Sequence, residues 1–279
     1  MVFRAAKSNL VVLPLSMSQE SGVRLSVFAA VLLAVALGEI LSPRRPLTVD
    51  KRMRWLTNFS LLIIGTVLLR MTLPIMPVAC ARFCQVQGWG LFNLVNSPSW
   101  AASILSFLAL DCIIYLQHAA FHYIPALWRF HRVHHTDLDL DVSSGNRFHP
   151  IELMLSILIK MGAIFLLGAP AGVVLAFEVV LNACAMFNHG NIRLPEVFES
   201  RLRIILVTPD MHRVHHSIIP CETNSNFGFN LPLWDRLFGT YRPQPEKGHA
   251  GMTIGLKEYR DPQKLTLHHL LFQPFTARL

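Results

Sequence analysis

The chain has 279 residues, of which 52% are hydrophobic and 15% charged, and its mean hydropathy is positive. A soluble domain of this length carries more charge and less apolar surface, so the composition predicts a membrane protein. The net charge of +8 does not point to nucleic acid, because Arg44, Arg45, Lys51, Arg52, Arg54 and the other basic residues are scattered between apolar blocks instead of forming an aromatic-studded stripe; anionic lipid headgroups are the partner that fits.

The first twenty or so residues lack the basic, apolar, small order of a cleavable signal, so the apolar run beginning near Val23 is predicted to remain as an anchor. A helical span needs roughly 20 apolar residues. Runs of that kind at Val23–Leu41, Trp55–Val78 and Trp100–Tyr123 predict three spans. Two shorter runs, Ile151–Leu167 and Val173–Phe187, flank the breaker cluster Gly168-Ala169-Pro170-Ala171-Gly172 and predict a helical hairpin. Whether the hairpin crosses fully is left open by the runs themselves, and the full spans are expected to number four or five.

The connector between the first two spans holds Arg44, Arg45, Lys51, Arg52 and Arg54 against Asp50 alone, which predicts a cytoplasmic loop and an outside amino terminus. Arg4, Lys7 and Arg24 oppose that placement weakly. The third span then runs inward to Trp128-Arg129-Phe130-His131-Arg132, and the hairpin starts and returns inside before Arg193, Arg201 and Arg203, so both histidine-rich connectors face the cytoplasm. From Glu196 onward the chain is polar enough for a soluble layer, with Pro232, Pro243, Pro245 and Gly248 marking loops. The fold class expected is all-α: an integral membrane helical bundle with a cytoplasmic helical layer holding a histidine-rich di-metal site. Its parts are a two-span anchor over 1–99, a histidine-box catalytic domain over 100–241 and a cytoplasmic tail over 242–279.

Of the five cysteines, Cys112 and Cys184 lie in apolar runs and Cys221 has no companion nearby. Cys80 and Cys84, one turn apart, read as ordinary thiols in preference to a local disulfide or a metal pair.

Thirteen histidines are present, and their spacing carries the chemistry. His118 and His122 form H-x3-H at the end of the third predicted span, with both rings on one helical face. His131, His134 and His135 form H-x2-H-H, and His212, His215 and His216 repeat that spacing; on a helix these positions share a face. His189, just past the hairpin, is a ninth candidate. One ion cannot use so many imidazoles, so two metal ions with several imidazoles each is the simplest account. Imidazole suits iron, zinc or copper alike and does not choose among them. His149 before Pro150 reads as a further ligand, a supporting donor or a turn residue. His249, His268 and His269 have no chelating pattern and read as solvated surface.

A metal-bound imidazole usually donates its other N–H to a carboxylate or carbonyl. Asp111, Asp210 and Asp235 are candidates for that role, although helix capping or surface ion pairing accounts equally well for Asp210 and Asp235. Asp111 lies two turns before His118 on the same face, where an unpaired carboxylate in lipid is costly. Asn191 and Asn226 are held with them as candidate ligands or supporting groups.

The three boxes, with Arg147-Phe148-His149-Pro150, Asn224-x-Asn226-Phe227-Gly228 and Trp234-Asp235-Arg236-Leu237-Phe238-Gly239-Thr240-Tyr241, resemble the fatty acid hydroxylase/sterol desaturase superfamily from about Trp100 to Tyr241. The resemblance implies a non-haem di-iron oxidoreductase that uses O2 and two electrons to hydroxylate or desaturate a lipid, with zinc a possible occupant in isolated protein. The first box reads His118-Ala119-Ala120-Phe121-His122, lacking the arginine expected after the first histidine in many members; that arginine is not a ligand. Iron rests on the resemblance alone, whereas two clustered metals follow from the residues. No G-x-G-x-x-G loop or haem module is visible, so a separate ferredoxin, cytochrome or reductase is implied. Arg129, Arg132, Arg201, Arg203 and Arg213 offer it a basic dock, or face lipid headgroups instead. The competing readings are a metal transporter, which places its ligands near the bilayer midplane within related halves of the chain, and a non-catalytic zinc protein, whose closed sites often use cysteine.

Overall fold

The computed structural model describes residues 16–95 and 97–276; Arg4 and Lys7 lie outside the described residues. Among the described residues the regular elements are helices, and β-pairing is limited to isolated bridges between Pro43 and Ile192 and between Ser217 and Ile254. Helix α1 (Met17–Leu41) starts at Ser16, whose hydroxyl accepts from the Gln19 backbone while the Gln19 side chain accepts from the Ser16 N–H. Helix α2 (Lys51–Thr72) starts at Asp50, which accepts from Met53 N at 2.9 Å.

The span expected over Trp55–Val78 is not one helix. Pro74 has no N–H to continue the ladder, so α2 stops at Thr72, and α3 (Pro77–Gln87) restarts with Pro77 in its first turn. The short α4 (Leu91–Leu94) follows. Next come α5 (Ser99–Tyr123), α6 (Pro125–His135), α7 (Pro150–Leu167) and α8 (Ala171–His189). The remaining chain forms short helices: α9 (Glu196–Leu202), α10 (Pro209–His215), α11 (Pro220–Thr223), α12 (Leu233–Leu237), α13 (Gly248–Gly251) and α14 (Leu267–Phe272).

Among the described residues, five stretches are long and apolar enough to cross a membrane: Met17–Leu41, the broken Lys51–Leu94, Ser99–Tyr123, Pro150–Leu167 and Ala171–His189. At the helical rise the 18 residues of α7 reach about 27 Å, close to the hydrocarbon thickness of ~30 Å. Leu25, Leu33 and Ile40 on α1, Ile63 on α2 and Ile104 on α5 point outward, the arrangement lipid requires. The chain is a multi-pass membrane protein.

Helices α7 and α8 follow one another across the break at Gly168 and Pro170, as expected, and α3 packs against both. Gly168 closes α7 with φ +66°, and a Cβ on Gly90 would lie 2.2 Å from the Gly168 nitrogen, so the two backbones touch at the hairpin turn. The core beneath holds Val78, Ala81 and Cys84 of α3, Leu110 and Ile114 of α5, Ile164 of α7 and Phe177 of α8. Cys80 and Cys84 are free thiols within it.

At the opposite end, the start of α2 fixes the loop after α6. Arg54 reaches Asp137 at 2.7 and 2.9 Å, Asp141 at 2.6 Å, the Asp139 carbonyl at 2.8 Å and Ser144 at 2.9 Å. Asn58 links Ser143 and Arg147. Glu39, near the end of α1, accepts from the backbones of Val142 and Asn191. The segment after Tyr241 folds back onto this end: Met252 and Ile254 pack with Leu140, and Leu270 of α14 packs with Leu61 and Val133.

Candidate metal centre

Helix α5 presents His118 and His122 one turn apart, and the proline restart at Pro125 turns α6 so that His131, His134 and His135 meet them. Helix α8 ends on His189, and α10, capped by Thr208, brings His212, His215 and the adjoining His216. The nine histidines converge into two groups. His118, His122, His131, His135 and His215 form one, and His134, His189, His212 and His216 the other; within each, the donor atoms lie within 4.8 Å of one another. Each H-x2-H-H box is divided between the groups. From α6 the i, i+4 pair His131 and His135 enters the first and His134 the second, whereas from α10 the pair His212 and His216 enters the second and His215 the first.

Six rings are held by their outer nitrogen. Nδ1–H of His118 donates to Phe227 O at 2.7 Å, of His134 to Arg147 O at 3.2 Å, of His189 to Ala185 O at 2.6 Å and of His215 to Ser225 O at 2.8 Å. His122 donates to the Asn224 side-chain oxygen at 3.2 Å and His131 to Glu152 at 2.6 Å. These bonds fix the tautomer and aim each Nε2 lone pair inward.

Burial pushes the His131 ring down to about 3. It also holds His134, His135, His212, His215 and His216 well below the ordinary imidazole range, with neighbouring rings adding to the effect. These rings are neutral near pH 7, so His131 meets Glu152 through a hydrogen bond and not an ion pair, and their lone pairs are free to bind metal.

The donor set fits metal ions. Nε2 of His122, His135 and His215, both nitrogens of His216 and Nδ1 of His212 are buried with no hydrogen-bond partner, an unfavourable state for polar atoms. Nε2 atoms approach each other at 3.1 Å for His118 and His131, 3.0 Å for His134 and His189, and 3.1 Å for His189 and His212. Neutral acceptors gain nothing from such contact. Two nitrogens each about 2.1 Å from one ion at a right angle lie about 3.0 Å apart, the spacing seen here.

The expected supporting residues act differently. Asp111 accepts from the Trp234 indole at 2.8 Å, so its carboxylate anchors the α12 region instead of orienting a histidine. Asp210 is taken by Arg213, with Arg44 at 3.0 Å and His249 at 3.6 Å. Asp235 accepts from the backbones of Phe227 and Gly228 and from Thr240, and so reaches His118 at one remove through the Phe227 carbonyl. Asn191 bonds both ways with Arg45. Asn226, at φ 53°, ties α10 to the backbone at Arg242 through Met211 O and Arg242. His149 is outside both groups: it caps α7, accepting from Ile151 N and donating to Leu271 O. His268 and His269 are exposed as expected, but His249 is buried beside Asp210 because α13 packs on α10.

The expected basic dock is also reduced. Arg132, Arg203 and Arg213 are buried, their guanidinium groups taken by Gln273 O, by Glu199 with Pro243 O, and by Asp210 with Gly190 O. Sequence reasoning missed Glu152, whose only signal was a carboxylate opening an apolar run, and it missed Asn224 as a ring partner and the Arg54 clamp.

A cavity of about 440 Å3 opens beside the first group. His118, His131, Glu152 and Phe148 line its histidine end, and Ile114, Phe121, Leu153, Ile157 and Phe229 line the apolar wall between α5 and the hairpin.

Residues 103–240 match the fatty acid hydroxylase family. The chain is 34% identical over 152 residues to ornithine lipid hydroxylase OlsE of Rhizobium tropici, covering 54% of this chain and 45% of that protein. It is 29% identical over 185 residues to human alkylglycerol monooxygenase, covering 66% and 40%, and 27% identical over 156 residues to human lathosterol oxidase, covering 55% and 48%. It thus spans less than half the length of these curated relatives. No solved structure matches the chain. The matched segment carries all nine clustered histidines, and through this fatty acid hydroxylase domain the chain belongs to the fatty acid hydroxylase/sterol desaturase superfamily.

Proposed function

We propose that the protein is a membrane-bound non-haem di-iron oxidoreductase that hydroxylates or desaturates a lipid, using O2 and electrons from a separate ferredoxin, cytochrome or reductase. The observation that carries this reading is the pair of all-imidazole groups beside an apolar cavity within the membrane bundle. His118, His122, His131, His135 and His215 would hold one iron, and His134, His189, His212 and His216 the other. Bound iron would supply the reductive activation of O2 needed to remove hydrogen from an unactivated C–H. The chain's own share is positional: the Nδ1–H bonds lock the rings, burial keeps them neutral, and the apolar wall holds the lipid and excludes water.

The relatives' names, an ornithine lipid hydroxylase, an alkylglycerol monooxygenase and a lathosterol oxidase, support a lipid substrate. A cytoplasmic site is supported by the basic residues of the α1–α2 connector and the first turn of α2, which contact the histidine end through Arg44 to Asp210 and Arg54 to Asp137. Arg129 and Arg201 remain as the accessible part of a donor-facing basic surface.

The test is metal analysis of the purified full chain together with lipid profiles of cells with and without it. Bound iron and a lipid that gains one oxygen or loses two hydrogens, dependent on O2 and reductant, is the expected result. Tight zinc with no turnover under reduction would overturn it.

A further inference from the structure

Away from the histidines, the same cavity ends among charged side chains at membrane depth. Lys160 of α7 meets Glu178 of α8 at 3.0 Å, and Arg24 of α1 meets the other oxygen of Glu178 at 2.7 Å. Lys160 and Glu178 are buried, and all three line the cavity together with Gln117, Ser156 and Asn182. Two cations share one carboxylate, leaving one positive charge over. Arg70, also on the lining, makes no hydrogen bond or ion pair with a described residue and adds a second. Ionisable groups at this depth are costly and face functional cavities. A structural staple between α1, α7 and α8 needs one cation per carboxylate and no opening onto a cavity.

Resting on the proposed lipid oxidation, we propose that Arg24, Lys160 and Glu178 form an anion subsite that holds the carboxylate or phosphate of an amphiphilic substrate. Glu178 sets the affinity by competing with the bound anion for the same two cations. From Glu152 to Lys160 along α7 is about 12 Å and from His189 back to Glu178 along α8 about 16 Å at the helical rise. A ligand anchored here presents a carbon well along its chain, remote from the polar group, to the His118 end of the cavity.

The test is equilibrium binding to the purified full chain in neutral detergent, read by thermal shift and by displacement of a fluorescent fatty acid. The probes are palmitate, a single-chain lysophosphatidic acid and methyl palmitate as the neutral control; palmitate against the phosphate lipid tells which anion source is preferred. Arg24→Gln and Lys160→Met are expected to weaken binding of the preferred anion about tenfold, the scale of one lost charge-assisted contact, and to leave methyl palmitate unchanged. Glu178→Gln is expected to tighten it, a sign that loss of a staple does not produce. Lys160→Met need not fold for the test to stand, since Arg24→Gln and Glu178→Gln carry it.

Equal binding of anionic and neutral probes by the wild type, or weakened anion binding by Glu178→Gln, overturns the subsite. Because binding is read without turnover, lipid oxidation that persists while the subsite fails, or the reverse, separates this inference from the proposed function.

Discussion

The Nδ1 of His131 lies 2.6 Å from a carboxylate oxygen of Glu152, whereas the outer nitrogens of His118, His122, His134, His189 and His215 meet carbonyl or amide oxygens. A carboxyl partner tunes the ring it holds, so Glu152 is expected to strengthen His131 as a metal ligand. Glu152→Gln keeps an oxygen acceptor but replaces the carboxyl group, and Glu152→Ala removes the acceptor altogether. Turnover is expected to fall about tenfold in the first and up to ~100-fold in the second, with metal retention falling in parallel. Wild-type rates and metal content in Glu152→Ala would show that the contact is incidental.

His134 and His215 come from different boxes and serve different groups. His134→Ala and His215→Ala are each expected to abolish turnover while the chain still inserts, since neither residue lies within an apolar span. His268→Ala, on an exposed ring, serves as the control and keeps full activity. Comparable activity of either box variant, on equal amounts of inserted protein, would remove these histidines from the site.

The Arg54 clamp predicts a stability effect separate from chemistry. Arg54→Met leaves Asp137 and Asp141 buried without their cation, a loss of about 3–5 kcal/mol for breaking a buried pair. Arg54→Lys does not rescue it, because one ammonium cannot serve two carboxylates, a carbonyl and a hydroxyl at once. The readout is the melting temperature in detergent, and a value equal to wild type in both variants would refute the clamp.

His249 predicts a pH dependence. Burial pushes this ring down to about 4, against the pull of Asp210. Between the ordinary histidine value of ~6.5 and 4 the unfolded chain binds a proton that the folded chain refuses, so stability contributed by the neutral ring is present above that window and lost as pH falls through it. The melting temperature of His249→Gln is expected to fall less steeply than wild type between pH 7 and 5. Parallel slopes would show that another group controls the acid side.

The histidine boxes were legible because spacing on one helix fixes a shared face, and the hairpin because Gly168 and Pro170 interrupt an apolar run. The division of each box between two groups was not, since it depends on how α6 and α10 cross. Pro74 stood in the sequence as a breaker, yet the apolar run around it read as one span. Asp111 was rightly marked as needing a partner, but that partner, Trp234, lies 123 positions away. The arginines counted as a dock were charges in a string; that Arg132 and Arg213 serve carbonyls inside the fold is a tertiary fact.

Four of the histidines lean on main-chain carbonyls, those of Phe227, Arg147, Ala185 and Ser225. Every amino acid supplies a carbonyl, so the side chains at these four posts can drift without removing the acceptor, provided the backbone keeps its path. Selection on the ring partners is thereby concentrated on two side chains, Glu152 and Asn224, and on whatever holds the loops in place. A scaffold of this kind can exchange most of its lipid-facing sequence, and with it its choice of substrate, while the geometry of its rings stays fixed.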